Sequence, residues 1–231
     1  MTGRDAGGLL PYVALEVQEI ESGLWHWAAP HPKWDPDPTA TTGWVEQVGS
    51  VYCELPGALL LVDPVVPADA ADASRLWKAL DRDVERLGRP VHVVVTVHWH
   101  RRGADAVVDR YGAHDGVVPD GTRAIALGDP IGETAYALPQ FRTLVVGDVV
   151  IGGDALEGQD AAGIRVCPPG WYGSTAAERA WYGGPGLPSA LRRLAQEPVE
   201  RVLTTHGSPL LTGGASALRA LADGASGRHT A

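Results

Sequence analysis

Two histidines, His98 and His100, lie two residues apart at the end of an apolar, β-branched run at 91–97. In an extended strand, residues i and i+2 point to the same side, so both imidazoles could converge on one point. Histidine is a common ligand of zinc and iron, and a strand end positions such a pair without a long ordering loop. The spacing therefore indicates a candidate metal site at the end of this strand.

The residues that follow this pair do not continue a metal motif. Arg101, Arg102 and Gly103 stand where a dense metal site would place acidic residues and further histidines. A guanidinium stays protonated in proteins and cannot act as a metal ligand. Arginine is also unfavourable in the first turn of a helix, so we expect an acidic partner for at least one of the two arginines.

Length and composition are typical of one folded domain that does not bind nucleic acid. The chain has 231 residues, and single α/β domains of this size are common. Its net charge of −9 argues against a phosphate-binding surface, which needs clustered Lys and Arg. The longest apolar runs, at 58–62 and 91–97, are too short to cross a bilayer. We therefore expect a small-molecule substrate or ligand, no nucleic acid and no membrane, and the oligomeric state stays open.

Two features predict a cytoplasmic protein. The N-terminal residues contain no hydrophobic core segment of the kind found in signal peptides. The two cysteines, Cys53 and Cys167, lie in unrelated segments without metal or redox spacing. We interpret them as buried free thiols of a protein in a reducing compartment.

Hydrophobic periodicity and turn residues predict strands and helices along the whole chain. Two β-rich stretches, each followed by helices, fit two sheets that are covered by helices on their outer faces. The predicted strands are 13–20, 24–28, 51–54, 58–62, 91–97, 123–127, 134–138, 143–146, 149–151 and 199–204, and the predicted helices are 68–87, 104–111, 176–182, 188–196 and 215–222.

Together, these features resemble the metallo-β-lactamase superfamily, specifically the hydrolase branch related to glyoxalase II and the lactonases. The resemblance covers nearly the whole chain, from a Leu-Val-Asp-Pro segment at 61–64 to a Thr-His-Gly segment at 205–207. It implies an α/β (α+β) fold, a four-layer αββα sandwich, formed by one domain over residues 1–231. A strand of that family ends in His-x-His-x-Asp-His, and His98 and His100 match its first two positions.

The resemblance also implies later ligand positions, with departures that matter. Asp154, in a Gly-Gly-Asp-Ala-Leu segment, matches the bridging carboxylate, and His206 matches the final ligand. Arg102 and Gly103 replace the Asp and the His that complete the first motif. Asp129 lies nearest to the position of a separate histidine that is missing from this sequence.

The remaining residues predict at most one metal ion. The two motif histidines and Asp129, with Asp154 reaching in, form a site suited to one zinc or iron ion. A second ion would have Asp154 and His206 as its ligands and no others. We interpret Arg102 as a replacement for the charge of that second ion, paired with the two carboxylates. Each of these residues, taken alone, could have a structural role as readily as a role in metal binding, so a site without metal stays open.

Two functions are compatible with this site. In the first, the protein is a metal-dependent hydrolase in which Asp154 orients or deprotonates water and Arg102 or His206 stabilises the oxyanion. The resemblance implies thioesters, lactones or related small esters as substrates. In the second, the protein is a metal-free pseudoenzyme or ligand-binding protein, and Arg102 locks an acidic pocket.

Two tryptophans complete the predicted site, and a third is expected to point away from it. Trp34 and Trp44 belong to a loop region that, in the resembled family, overhangs the active site. We interpret them as candidate walls of a substrate pocket, although tryptophans in such segments are more often hairpin core or loop anchors. Trp99, between the two histidines, should point to the opposite side of the strand and pack in the interior.

Overall fold

The computed structural model describes residues 15–34 and 43–227, whose strands form two larger sheets and one separate pair. The first sheet contains, in spatial order, β1 (Glu16–Glu21), β2 (Leu24–Pro30), β3 (Gln47–Leu55), β4 (Ala58–Val62), β5 (Val91–Val94) and β6 (His114–Asp115). Its first four strands are antiparallel neighbours, and β5 and β6 are added in parallel.

The second sheet contains four strands in the second half of the chain. The strands that follow β6 are β7 (Arg123–Ala126), β8 (Thr134–Leu138), β9 (Thr143–Val146), β10 (Val150–Gly152), β11 (Ile164–Val166) and β12 (Arg201–Thr204). The order in the second sheet is β12-β9-β8-β7, and β10 pairs with β11. Strand β12 runs parallel to β9, so the carboxyl ends of these two strands lie at the same edge.

Five described helices cover the sheets. They are α1 (Ala70–Leu87), α2 (Ala104–Tyr111), α3 (Ala176–Gly183), α4 (Gly186–Ala195) and α5 (Gly214–Gly227). Helix α1 begins after Asp69, whose carboxylate accepts hydrogen bonds from two backbone N–H groups of the first turn, and it ends at Gly88 in a left-handed conformation (φ 59°). No described helix is long and apolar enough to span a membrane.

Three clusters of buried apolar side chains fill the spaces between the layers. Along β4, Leu59 and Leu61 pack in a cluster with residues of α1 and α2, while Leu60 and Val62 pack in a cluster between the two sheets. A third cluster joins the outer face of the second sheet to α3, α4 and α5. The predicted four-layer αββα sandwich is confirmed.

The strand predicted at 91–97 is the main local difference from the sequence-based prediction. Strand β5 ends at Val94, and His98–Arg101 form a 3₁₀ turn. The chain leaves the sheet because the backbone N–H of Thr96 donates to the carboxylate of Asp63 at 2.7 Å instead of to a neighbouring strand. Val13, where the first strand was predicted to begin, lies outside the described residues.

Candidate functional site

The side chains of His100, Asp148 and His206 converge in the interior of the molecule. Oδ1 of Asp148 lies 3.0 Å from Nε2 of His100 and 3.3 Å from Nε2 of His206. All three residues are buried, and one ligand atom of each lies within 4.8 Å of the other two. Among the described residues, this His–Asp–His cluster is the one group of His, Cys, Asp and Glu side chains with a spacing suited to a metal ion.

Parallel pairing of β9 and β12 brings two of the three residues together. Val146 of β9 lies opposite Thr204 of β12. Asp148 and His206 each follow two residues later, so both side chains lie at the carboxyl edge of this strand pair. His100 reaches the same place from the 3₁₀ turn after β5.

Asp63, directly after β4, orients the ring of His100. Its Oδ2 lies 3.0 Å from Nδ1 of His100, and its Oδ1 accepts a hydrogen bond from the backbone N–H of Thr96. Because Nδ1 is engaged in this way, Nε2 of His100 faces Asp148. A carboxylate that holds the second ring nitrogen is the usual support of a histidine that ligates a metal.

The charges within the cluster are strongly coupled. Burial disfavours the imidazolium form of His100, but the carboxylates of Asp148 and Asp63 outweigh burial and raise its pKa to about 9. Burial acts in the opposite sense on Asp63, where the charge of His100 outweighs it and lowers the pKa. At His206, in contrast, burial prevails and lowers the pKa in spite of the charge of Asp148. Without a cation, the cluster therefore carries a proton on His100 and a neutral His206.

Two hydrogen bonds, one to the side chain and one from the backbone, hold Asp148 in position. Its Oδ2 accepts a hydrogen bond from Nε1 of Trp99 at 2.8 Å, and its backbone N–H donates to Glu133 at 3.0 Å. Glu133 also accepts from the hydroxyl of Tyr172 at 2.5 Å, and burial together with the charge of Asp148 raises its pKa to about 7. In contrast, Oδ1 of Asp148 accepts no hydrogen bond of adequate geometry from any described residue, although two ring nitrogens lie close to it.

Arg102 lies beside the cluster. Burial lowers the pKa of its guanidinium, while the charges of Asp63 and Asp148 act to raise it. Nε and Nη1 of Arg102 are inaccessible to solvent and have no acceptor among the described residues. Its backbone is in the left-handed region, with φ 24°, a strained conformation for a residue that is not glycine.

The residues before and after Arg102 in the chain do not take part in the cluster. Arg101 is exposed and pairs with Asp105 and Asp115, which confirms the expected acidic partner for one of the two arginines. A Cβ atom at Gly103 would lie 2.8 Å from the side chain of Val66 and 3.0 Å from the carbonyl oxygen of Pro64. A side chain at position 103, including the histidine of the resembled motif, does not fit without displacement of this backbone.

Aromatic rings surround His206. The rings of Trp44 and Trp171 lie edge to face with its imidazole at centroid distances of 5.1 Å and 5.0 Å. Nε1 of Trp34 donates to the backbone oxygen of Trp44 at 3.1 Å, and the ring of His31 lies edge to face with the Trp44 ring at a centroid distance of 5.0 Å. Of the two predicted wall residues, Trp44 therefore contacts the cluster, and Trp34 supports Trp44.

Comparisons with known proteins identify the fold. No family model and no curated protein matches this chain. VMB-1, solved at pH 5.5, is 12% identical, with 92% of this chain and 98% of that chain covered and a TM-score of 0.53. A metallo-β-lactamase from Erythrobacter litoralis is 13% identical over 94% and 95% of the two chains, with a TM-score of 0.55. An NDM/FIM-1-like metallo-β-lactamase from the same organism, in its mono-zinc form, is 14% identical over 95% and 100%, with a TM-score of 0.56. The chain has the metallo-β-lactamase fold.

Within this metallo-β-lactamase fold, the cluster carboxylate differs from the one predicted. Asp154 accepts hydrogen bonds from the backbone N–H and the hydroxyl of Ser208, at 2.7 Å and 2.5 Å, and is not part of the cluster. Asp148, in the preceding Gly-Asp pair, takes the place predicted for Asp154. The two aspartates follow glycines in similar apolar surroundings, so the local sequence did not distinguish them. Both aspartates also lie two residues after a buried strand, Asp148 after β9 and Asp154 after β10, so no local signal separates them.

Two other predicted ligands also lie outside the cluster. His98 is exposed, and its ring packs against Trp99 at a centroid distance of 4.6 Å. A 3₁₀ turn advances about 120° per residue, so residues i and i+2 do not share a side as they would in a strand. For the same reason Trp99 is not interior as predicted: it is 44% exposed and donates to Asp148. Asp129 is exposed before the cis peptide bond to Pro130 and is also not part of the cluster.

The residues of the cluster fit a metal ion. Two imidazole nitrogens and one carboxylate oxygen are a common donor set for zinc or ferrous iron. The oxygen that lacks a hydrogen bond, Oδ1 of Asp148, is the atom that both histidines face. A second cation beside this group would meet the guanidinium of Arg102, which bears the same sign of charge.

Proposed function

We propose that this protein is a metal-dependent hydrolase that uses one zinc or iron ion, held by His100, Asp148 and His206. One observation carries the proposal: Oδ1 of Asp148 is buried, lies within 3.3 Å of two imidazole nitrogens and accepts no hydrogen bond from the described residues. Burying a carboxylate oxygen in this way is costly unless a cation balances it, and protonated His100 is that cation when no ion is bound. A single bound ion would satisfy this oxygen and both ring nitrogens at once.

The chemistry implied is the hydrolysis of a polarised carbonyl. An ion at this site would polarise a scissile carbonyl and lower the pKa of water. The protein's own groups prepare the site: Asp63 holds His100 in the tautomer that presents Nε2, and Trp99 and Glu133 fix the orientation of Asp148. The substrates implied by the resemblance to the glyoxalase II and lactonase branch are thioesters, lactones or related small esters.

The aromatic rings near His206 support this assignment. Trp44 and Trp171 both contact that imidazole and would limit the access of bulk water to the cluster. Their ring faces also offer apolar surface to the acyl part of a substrate. The earlier role of Asp154 as the residue that orients water is not part of this proposal, because Ser208 satisfies its carboxylate.

A second candidate is a metal-free ligand-binding protein. It is favoured by one observation, the balance of charge in the cluster: the carboxylates of Asp63 and Asp148 lie near two cations, protonated His100 and Arg102. In this alternative, Arg102 replaces the charge of the second ion and His100 that of the first. The fold is then retained for binding without hydrolysis.

Elemental analysis separates the two candidates. Protein purified without added metal, and protein dialysed against zinc or ferrous iron, should contain close to one ion per chain if the hydrolase proposal holds. His100→Ala should lose this ion, whereas His98→Ala, a matched change two residues away at an exposed histidine, should keep it. Wild-type protein that binds no ion after either treatment would refute the hydrolase proposal and leave the binding protein. Hydrolysis of simple thioesters, lactones and esters should then be assayed with the loaded protein, and it should disappear in His100→Ala.

A further inference from the structure

Two nitrogens of the Arg102 guanidinium lack the partners that a buried cation needs. Nε and Nη1 are inaccessible to solvent and have no acceptor among the described residues. A charged donor left in this state costs more than a neutral one, so such groups are normally paired or face a ligand. The strained backbone at Arg102 (φ 24°) is a second, independent cost at the same residue.

The carboxylates of Asp63 and Asp148, whose charges act to raise the pKa of Arg102, form their hydrogen bonds with other residues. Both oxygens of Asp63 are occupied, because they accept from Thr96, from Thr205 and from Nδ1 of His100. Oδ2 of Asp148 accepts a hydrogen bond from Trp99, and Oδ1 faces the two histidines of the cluster. Neither residue forms a hydrogen bond to the guanidinium in the described structure, so their effect on Arg102 is electrostatic.

We propose that Arg102 is a substrate-binding residue that takes a carboxylate group of the substrate beside the His–Asp–His cluster. This inference rests on the proposed function, since the carboxylate belongs to the ester, thioester or lactone that is hydrolysed there. Stabilising the oxyanion of the reaction would not be enough, because that charge forms only transiently. The buried N–H groups of Arg102 require an acceptor for as long as the substrate is bound. A carboxylate that is already present in the substrate meets that requirement, and Arg is the side chain best suited to it.

The charge of the site favours a monoanion. With one divalent ion bound and neutral imidazoles, the two carboxylates that act on Arg102 are balanced by the ion. The single positive charge of the guanidinium is then uncompensated. A carboxylate balances it, whereas a phosphate dianion would add a negative charge next to Asp63 and Asp148.

The surroundings of Arg102 indicate where the rest of the substrate lies. Burial and then the charge of Arg102 lower the pKa of His31 to about 4, and the ring of His31 contacts Trp44. Arg102 therefore lies close to the aromatic side of the site, where Trp44 also contacts His206. The fitting substrate class is a small ester, thioester or lactone with one carboxylate and an apolar portion against Trp44.

Acetate, inorganic phosphate and acetamide are suitable probes. Calorimetric titration should be carried out with protein of measured metal content, both zinc-loaded and metal-free. Acetate should bind the zinc-loaded wild type more tightly than phosphate does, and acetamide, which has nearly the same shape without the charge, should not bind measurably. Arg102→Met should weaken acetate binding at least tenfold. Arg101→Met, which removes a neighbouring exposed cation, should leave acetate binding unchanged.

The possible outcomes distinguish this inference from the proposed function. If acetate affinity is the same in Arg102→Met and the wild type, or if acetamide binds as well as acetate, Arg102 does not bind carboxylate. Tighter binding of phosphate would also overturn the assignment. Absence of zinc from the wild type would refute the hydrolase proposal instead, and the metal-free titrations then test Arg102 directly. If Arg102→Met does not fold, Arg102→Gln replaces it, with the same tenfold loss expected.

Discussion

Nε2 of His100 lies 3.0 Å from Oδ1 of Asp148, and this oxygen accepts no hydrogen bond from any described residue. The histidine follows β5 of the first sheet, and the aspartate follows β9 of the second. The contact therefore joins the two halves of the sandwich at one edge. A single cation would link both halves through these two side chains.

Replacement of Asp148 by alanine should remove the metal. The variant loses the oxygen that both histidines face, and two imidazoles alone bind zinc or iron weakly. The metal content measured by elemental analysis should decrease from about one ion per chain to near zero. Asp154→Ala is the matched control and should keep the wild-type content, because its carboxylate is bonded to Ser208. Loss of metal in the control but not in Asp148→Ala would show that the cluster has been assigned to the wrong aspartate.

Asp63→Asn should weaken metal binding without abolishing it. The amide keeps the shape of the side chain, but the negative charge that supports His100 at Nδ1 is lost. Changes of this type to the partner of a ligating histidine cost about 10–100-fold in affinity. Competition with a chelator of known affinity measures this effect, with thermal unfolding as the check that the variant folds. A dissociation constant equal to that of the wild type would show that Asp63 does not tune the ligand.

Gly103→Ala should destabilise the protein by about 1–3 kcal/mol, since the added methyl group meets the backbone of Pro64 and the side chain of Val66. Gly57→Ala is the control, because a Cβ atom there has no neighbour within 4 Å. Urea denaturation of both variants measures the free energy of unfolding. Equal stability of the two variants would mean that the loop at 64–66 moves aside easily. In that case a histidine at position 103 could also be accommodated.

His26 should make the stability depend on pH. It is buried on β2, and burial lowers its pKa from 6.5 to about 4. The unfolded chain therefore takes up a proton at this residue below pH 6.5 that the folded chain does not take up until about pH 4. The free energy of unfolding should decrease over this range as the pH falls, by up to about 3 kcal/mol from this group. Urea denaturation at about pH 7 and about pH 4.5 should show a smaller decrease in His26→Leu than in the wild type; equal decreases would contradict the prediction.

Much of the fold followed from local patterns. The continuous apolar run of β4 is buried on both faces of the strand, and the helical spacing of α1 predicts which side of that helix is buried; the structure confirms the layers that result. The predicted and observed bounds agree most closely for elements that are flanked by glycine, proline or aspartate. The strand predicted at 58–62 and the helix predicted at 104–111 have the observed bounds. His100 and His206 were also found by their order and by their positions after strands, although their roles as ligands stay a proposal.

Contacts between distant segments decided the rest. The aspartate that faces the histidines is set by the parallel pairing of β9 with β12, which brings the residue two positions after Val146 next to the residue two positions after Thr204. No local feature separates Asp148 from Asp154, since both follow a glycine. Likewise, the hydrogen bond from Thr96 to Asp63 ends the strand early, and the turn that follows directs His98 to solvent and His100 to the interior. Local patterns were sufficient to predict the layers and most of the candidate residues, because burial periodicity is a property of residues close together in the chain. Which of these residues meet depends on pairing between segments far apart in the chain, so it follows from the three-dimensional fold and not from any local pattern.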